Sequence, residues 1–159
     1  MTESPEVNDD FVDMIEALNH QEVRFVIVGA YALAAHGHPR ATGDIDILIE
    51  PTLENSKRAY AALLRFGAPI EAHGVTEHDF SREGAVYQIG LPPKRIDLLT
   101  SIDGVTYQEA AGNVLSGAIN GEPVDFIGRH ALIKNKRAAG RAKDMADVET
   151  LEAESTDDT

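Results

Sequence analysis

The sequence predicts an α+β fold, a mixed α/β arrangement in which a small mixed β-sheet is flanked by helices. Three observations carry that prediction. An apolar strand over Arg24–Val28 runs into Gly29 and an alanine-rich helical stretch, and the chain returns on a second strand over Asp44–Glu50. Two further pairs of short apolar runs are separated by Gly90-Leu91-Pro92-Pro93 and by Asn120-Gly121, both of which signal hairpins. Segments near both ends place apolar residues at helical spacing.

The elements follow in order. Asn8–Asn19 sets Phe11, Met14, Ile15 and Leu18 on one helical face, with Asn8 or Asp9 as the cap. After the strand Arg24–Val28 comes a short helix over Ala30–His36, stopped by Gly37 and Pro39. Asp44–Glu50 is the second strand. Thr52 caps a helix over Leu53–Phe66, which Gly67 ends. Residues 67–83 read as a loop. Ala85–Ile89 and Lys94–Thr100 form one hairpin, Tyr107–Val114 a helix, and Ser116–Ile119 with Pro123–Ile127 a second hairpin. His130–Ala139 and Arg141–Glu152 are two helices around Gly140. No repeat, linker or low-complexity block divides the chain, so residues 1–159 are expected to form one domain, ordered over about 8–152 between acidic, aperiodic ends.

A chain of 159 residues is long enough to bury a core without staples. It has no cysteine, which excludes disulfides, thiolate metal ligands and cysteine nucleophiles. The acidic N-terminus is no secretory signal, and the longest apolar run, Phe25–Ala35, is interrupted by Gly29 and too short to span a bilayer. A cytoplasmic protein without membrane contact is expected. The net charge of −13 disfavours broad binding to phosphate backbones. Yet six of the 14 Lys/Arg residues fall between Arg129 and Lys143, a stretch free of acids, and any polyanion is expected to be met there.

Side chains two apart on a strand share a face, about 6.5 Å apart along the chain. Asp44 and Asp46 therefore face one way and Ile45, Ile47 and Ile49 the other. Two such carboxylates repel unless a cation lies between them, and hard oxygens suit Mg²⁺ or Mn²⁺. The competing explanation is a solvated strand face, or aspartates paired with Arg40 or Lys57. Asp97, alone in the apolar run Ile96–Leu99, supplies a third carboxylate or else pairs with Arg95 or Lys94. Gly29, at a strand-to-helix turn, allows a phosphate to approach backbone N–H groups, or is simply a tight turn. Lys134 and Arg137 share a helix face. With Lys143 they either meet a triphosphate or nucleic acid, or belong to a solvated helix pair. Arg141 with Asp144, and Lys143 with Asp147, are spaced for intrahelical pairs. His36 and His38 flank a Gly-Pro turn and are weaker candidates as ligands.

A strand, a glycine with a small residue, a short helix, an Asp-x-Asp strand and a later single aspartate together resemble the nucleotidyltransferases of the DNA polymerase β type. The segment Ala35–Asp44 and the tail Leu132-Ile133-x-x-Lys136-Arg137-Ala138-Ala139-Gly140-Arg141-x-Lys143-Asp144-x-x-Asp147 are similar to the small prokaryotic branch that includes the AbiE-like toxin enzymes. The superfamily pairs its glycine with glycine or serine. Here Ala30 stands second, offering an amide but no hydroxyl.

The resemblance implies transfer of a nucleoside monophosphate from a nucleoside triphosphate to a hydroxyl acceptor, with pyrophosphate released. It implies two Mg²⁺ (or Mn²⁺) ions held by Asp44, Asp46 and Asp97, the catalytic residues, in the manner of paired ions about 3.5–4 Å apart. It implies nucleotide contacts from Gly29, Ala30, Arg40, Thr42, Lys134, Arg137 and Lys143. A toxin-like enzyme would modify tRNA or a protein hydroxyl and have a cognate antitoxin, whereas an antibiotic-modifying relative would act on a small molecule. The alternative from another class is a non-catalytic nucleotide- or partner-binding module on the same fold.

Overall fold

The computed structural model describes residues 9–38 and 43–155. Its elements run α1 (Asp9–His20), β1 (Phe25–Val28), α2 (Gly29–Ala35), β2 (Ile45–Ile49), α3 (Leu53–Phe66), β3 (Val86–Ile89), β4 (Ile96–Leu99), α4 (Tyr107–Ala110), β5 (Leu115–Ile119), β6 (Glu122–Phe126), α5 (Arg129–Ala139) and α6 (Ala142–Ser155). The sheet is mixed and six-stranded, in the order β3-β4-β2-β1-β6-β5. β1 pairs antiparallel with β2 and parallel with β6, and β2 pairs parallel with β4. The two predicted hairpins, β3–β4 and β5–β6, close the two edges. The expected α+β class with a small mixed sheet is what the chain forms.

Local chemistry explains the element ends. Thr52 Oγ1 accepts from the Asn55 N–H at 3.2 Å, and Gly67 ends α3 in the left-handed region at φ 92°. Asn120 and Gly121 both have positive φ, the requirement of the tight hairpin turn that Asn-Gly favours. The helix expected over Tyr107–Val114 lasts only to Ala110. A capping box between Thr106 and Glu109 starts it, but glycine follows at 112 and the chain then extends into β5. α6 runs three residues beyond its expected end, and the Asn8 cap lies outside the described residues.

The core forms where α1 packs on α3 and reaches β6, while α2 lies on β1 and β2. Phe11, Met14, Ile15 and Leu18, the predicted stripe of α1, are fully buried, each contributing about 1.5–3 kcal/mol of transfer free energy. Ile45, Ile47 and Ile49 are buried as the strand alternation requires, but so is Leu48, which shares its face with Asp44 and Asp46. β2 is therefore covered on both faces at its C-terminal end and opens on one face only where it begins. Asn55, buried at the start of α3, ties that covered end together. Its Oδ1 accepts from the Arg24 N–H at 2.7 Å, and its Nδ2 donates to the carbonyls of Arg24 and Glu50, each at 3.0 Å. Among the described residues no helix is long and apolar enough to cross a membrane.

Candidate active site

The open start of β2 sits between two strands that bring chemistry to it. Val28, the last residue of β1, lies opposite Asp46, and on the other side Asp46 lies opposite Asp97 of β4. Val28, Asp46 and Asp97 thus form a row across three adjacent strands, Gly29 follows at the start of α2, and Asp44 stands just before β2. The parallel register of β2 and β4 sets the carboxylates of Asp46 and Asp97 side by side. The chain reaches Asp44 through Gly43, where a Cβ would fall 1.9 Å from the Pro93 carbonyl oxygen, so the backbone of the β3–β4 turn lies directly on this approach.

Gly29 has φ +72°, and a Cβ there would lie 2.3 Å from Asp46 Oδ2. The glycine therefore makes room for a carboxylate as well as turning the chain. Asp46 titrates abnormally. Burial pushes its carboxyl up to about 6. The hydrogen bond it shares with Asp97 and the negative charges of Asp97 and Asp44 push the same way, and only Arg95 opposes them. Asp97 is 7% exposed. Arg95 provides its neutralisation: Nε donates to Asp97 Oδ1 at 2.7 Å and Nη2 to Oδ2 at 3.1 Å. The same Nη2 lies 3.4 Å from Asp44 Oδ2, and the Arg95 backbone N–H donates to Asp44 Oδ1 at 2.9 Å. Of the counter-ions considered from sequence, Arg95 is the one that the fold brings to Asp97, and it serves Asp44 as well.

These residues form one wall of a cavity of about 470 Å³. The rest of its lining includes Lys136 of α5, Arg141 just before α6, and Lys143, Asp144 and Asp147 of α6. Lys136, 12% exposed, bridges Asp147 at 2.9 Å and Asp144 at 3.7 Å. Arg141 Nε donates to Asp144 Oδ2 at 2.6 Å, so the pair its spacing suggested forms, but from a residue just before α6 and not within one helix. Asp147, spaced for Lys143, meets Lys136 instead.

Lys143 and Ala30 are found on the cavity, but Lys134 and Arg137 are not among the residues that line it. Lys134 pairs with Glu109 of α4, and Arg137 with Glu152 of α6. The physical reason is helix phase. Leu132 and Ile133 define the buried stripe of α5, and Lys136 lies four and three residues after them, on that stripe. Lys134 and Arg137 share a face, as their spacing required, but it is a more exposed one. The signal for Lys136 was therefore present in the sequence, in its offset from Leu132. His36 Nε2 lies 2.8 Å from the Ile127 carbonyl oxygen and His38 pairs with Glu154, so both rings have structural partners. Arg40 and Thr42 lie outside the described residues.

Carboxylate oxygens of this kind match Mg²⁺ or Mn²⁺ chemically, and two aspartates set side by side in register mark a place where a cation would relieve repulsion. In that sense Asp44, Asp46 and Asp97 fit a divalent ion. Among the described residues, however, no three His, Cys, Asp or Glu side chains are arranged as a metal cage. The Arg95 guanidinium holds the cationic position.

Solved structures share the fold of this mixed sheet and its helices. A proposed nucleotidyltransferase from Thermotoga maritima superposes with a TM-score of 0.58 at 14% identity, over 98% of this chain and 96% of that one. The antibiotic-resistance factor ANT(2'')-Ia, studied in solution, gives 0.56 at 16% identity over 90% of this chain and 80% of its own. Its structure with adenylyl-2''-tobramycin gives 0.55 at 15% identity over 89% and 84%. No protein-family model matches the sequence, and no curated protein does. The chain thus has the nucleotidyltransferase fold.

Proposed function

We propose that this protein is a metal-dependent nucleotidyltransferase, moving a nucleoside monophosphate from a nucleoside triphosphate to a hydroxyl acceptor with release of pyrophosphate. The observation that carries it is the register that sets Asp46 beside Asp97 and against Gly29. A structural strand has no use for two carboxylates set side by side at the mouth of a cavity. Asp44, Asp46 and Asp97 would hold two Mg²⁺ or Mn²⁺ ions, whose charge would supply Lewis-acid activation of the acceptor hydroxyl and stabilisation of the phosphates. Gly29 and Ala30 line the cavity, and so does Lys143, which would meet the triphosphate there. Arg40 and Thr42 are proposed nucleotide contacts on the resemblance alone.

The acceptor divides two readings. A toxin-like enzyme would act on tRNA or a protein and answer to an antitoxin. A small cationic molecule, the kind of acceptor whose adenylyl product is bound to ANT(2'')-Ia, is the other. One observation favours the second over tRNA. Five of the six cations between Arg129 and Lys143 face carboxylates of the chain itself: Arg129 with Glu154, Lys134 with Glu109, Lys136 with Asp147, Arg137 with Glu152 and Arg141 with Asp144. The stretch that would have met a polyanion is neutralised from within, on a chain of net charge −13.

The experiment supplies Mg²⁺ and each α-labelled nucleoside triphosphate, with total tRNA, cell lysate or an aminoglycoside in separate reactions. Label carried to one acceptor class, and lost in Asp46→Asn, supports transfer and identifies the acceptor. Mg²⁺-dependent triphosphate binding without transfer supports a binding module instead. Absence of both overturns the assignment of the three aspartates.

A further inference from the structure

Arg95 stands two positions before Asp97, so strand alternation puts both side chains on one face. That placement lets one residue engage two of the three carboxylates without distorting β4. The guanidinium grips both oxygens of Asp97, its Nη2 reaches Asp44, and the backbone N–H takes the remaining Asp44 oxygen. The side chain also lines the cavity and is 27% exposed. It therefore has room to turn outward while its backbone stays in place.

We propose that Arg95 is a built-in counter-cation that closes the aspartate centre of the free protein, and that an incoming triphosphate opens it by drawing the guanidinium away. The proposal rests on the reading of this centre as the nucleotidyl-transfer site. A divalent ion and a guanidinium compete for the same carboxylate oxygens, so the centre cannot be fully loaded while Arg95 holds Asp97 and Asp44. A triphosphate offers pairs of oxygens on each phosphorus that a guanidinium fork can grip bidentately, as it grips a carboxylate. Transfer of the fork from Asp97 to phosphate frees the carboxylates at the moment the substrate arrives. By linkage, metal and triphosphate then strengthen each other's binding by the same factor. The free enzyme holds metal weakly, which keeps bare metal chemistry out of an empty site.

The test is Mn²⁺ binding to the nucleotide-free protein, followed by electron paramagnetic resonance, for wild type, Arg95→Gln, Arg95→Lys and Asp46→Asn. Arg95→Gln is expected to bind Mn²⁺ roughly tenfold more tightly than wild type, within the usual range of coupling between sites. Arg95→Lys, which keeps the charge but cannot fork across both carboxylates, is expected to fall between them. Asp46→Asn is expected to bind most weakly. In a metal-free chelating buffer, calorimetry with a non-hydrolysable triphosphate should show Arg95→Gln binding it less tightly than wild type. Mn²⁺ affinity that is unchanged or lower in both Arg95 variants overturns the latch and leaves the transfer centre standing. No Mn²⁺ bound by any of the four proteins overturns the centre as well. If Arg95→Gln loses its circular dichroism signal, the Arg95→Lys comparison decides by the same criterion.

Discussion

Gly29, at the start of α2, and Asp46 of β2 compete for the same space: a methyl group on the first would lie 2.3 Å from a carboxylate oxygen of the second. Their coupling follows from the antiparallel register, which puts Val28 opposite Asp46 and so carries the next residue past the aspartate. A glycine that from sequence looks like a phosphate turn is also the seat of the carboxylate.

Gly29→Ala should therefore act through Asp46. The left-handed backbone alone costs about 1 kcal/mol, and forcing the carboxylate aside adds about 1–3 kcal/mol. Urea denaturation should show both parts in the wild-type background. In an Asp46→Ala background, where the carboxylate is gone, only the backbone part should remain. Equal costs in the two backgrounds would mean that the two residues do not compete for space.

The Asp46 carboxyl gives the protein an unusual pH dependence. Its folded value, about 6, lies above the ordinary value of 3.8, so between these limits the folded state binds more protons than the unfolded one. Stability contributed by this group is then greatest below about pH 4 and falls as pH rises through 6, by about 2–3 kcal/mol if the whole shift is expressed. The sign is opposite to that of a salt-bridged aspartate. Asp46→Asn removes the titration, so metal-free Asp46→Asn should be more stable than wild type at pH 7, with the advantage shrinking toward pH 4. Chemical denaturation at those two pH values measures it, and an Asp46→Asn protein that is less stable at pH 7 contradicts the assignment.

The aspartate row was legible because strand alternation and isolated charge are local signals. Asp44, Asp46 and Asp97 could each be picked out from their apolar neighbours, and Thr52, Gly67 and Asn120-Gly121 marked their turns. What could not be read was which partner each charge finds, since that depends on register. The parallel pairing of β2 with β4 makes Asp46 and Asp97 neighbours, and nothing in either strand alone specifies it. The same holds for α5. Spacing correctly put Lys134 and Arg137 on one face, but which face meets the cavity was decided by the apolar stripe through Leu132 and Ile133. Weighing that stripe against the charges would have selected Lys136.

Lys136 has the greatest structural weight among these cations. It lies between Asp144 and Asp147, which are 2% and 5% exposed. Removing the ammonium leaves buried carboxylates with less compensation, which in such settings costs about 3–5 kcal/mol. Lys136→Met should therefore lower the denaturation midpoint sharply. Lys134→Met and Arg137→Met break pairs that are about half exposed and should each change stability by less than about 1 kcal/mol. Thermal melts of the three variants at one pH rank them, and a Lys136→Met protein as stable as the other two would show that the α5–α6 contact does not depend on this ion pair.

The same ion pairs make a prediction about nucleic acid. Affinity for a phosphate backbone comes from cations free to displace counterions, and it falls steeply with salt. With Lys134 held by Glu109 and Arg137 by Glu152, the wild-type protein should not retain tRNA on a filter at about 150 mM salt, where even non-specific binders reach about 10⁻⁴–10⁻⁶ M. Glu109→Gln combined with Glu152→Gln frees both cations and lowers the net negative charge while leaving the aspartate row untouched. That variant should bind tRNA measurably at about 50 mM salt, and its salt dependence should steepen by about 0.7–0.9 per cation brought into phosphate contact. Wild-type protein that already binds tRNA with a steep salt dependence would show that these pairs open for an anionic acceptor. The preference for a small cationic acceptor over tRNA would then be lost, while the case for nucleotidyl transfer, which rests on Asp46 and Asp97, would stand.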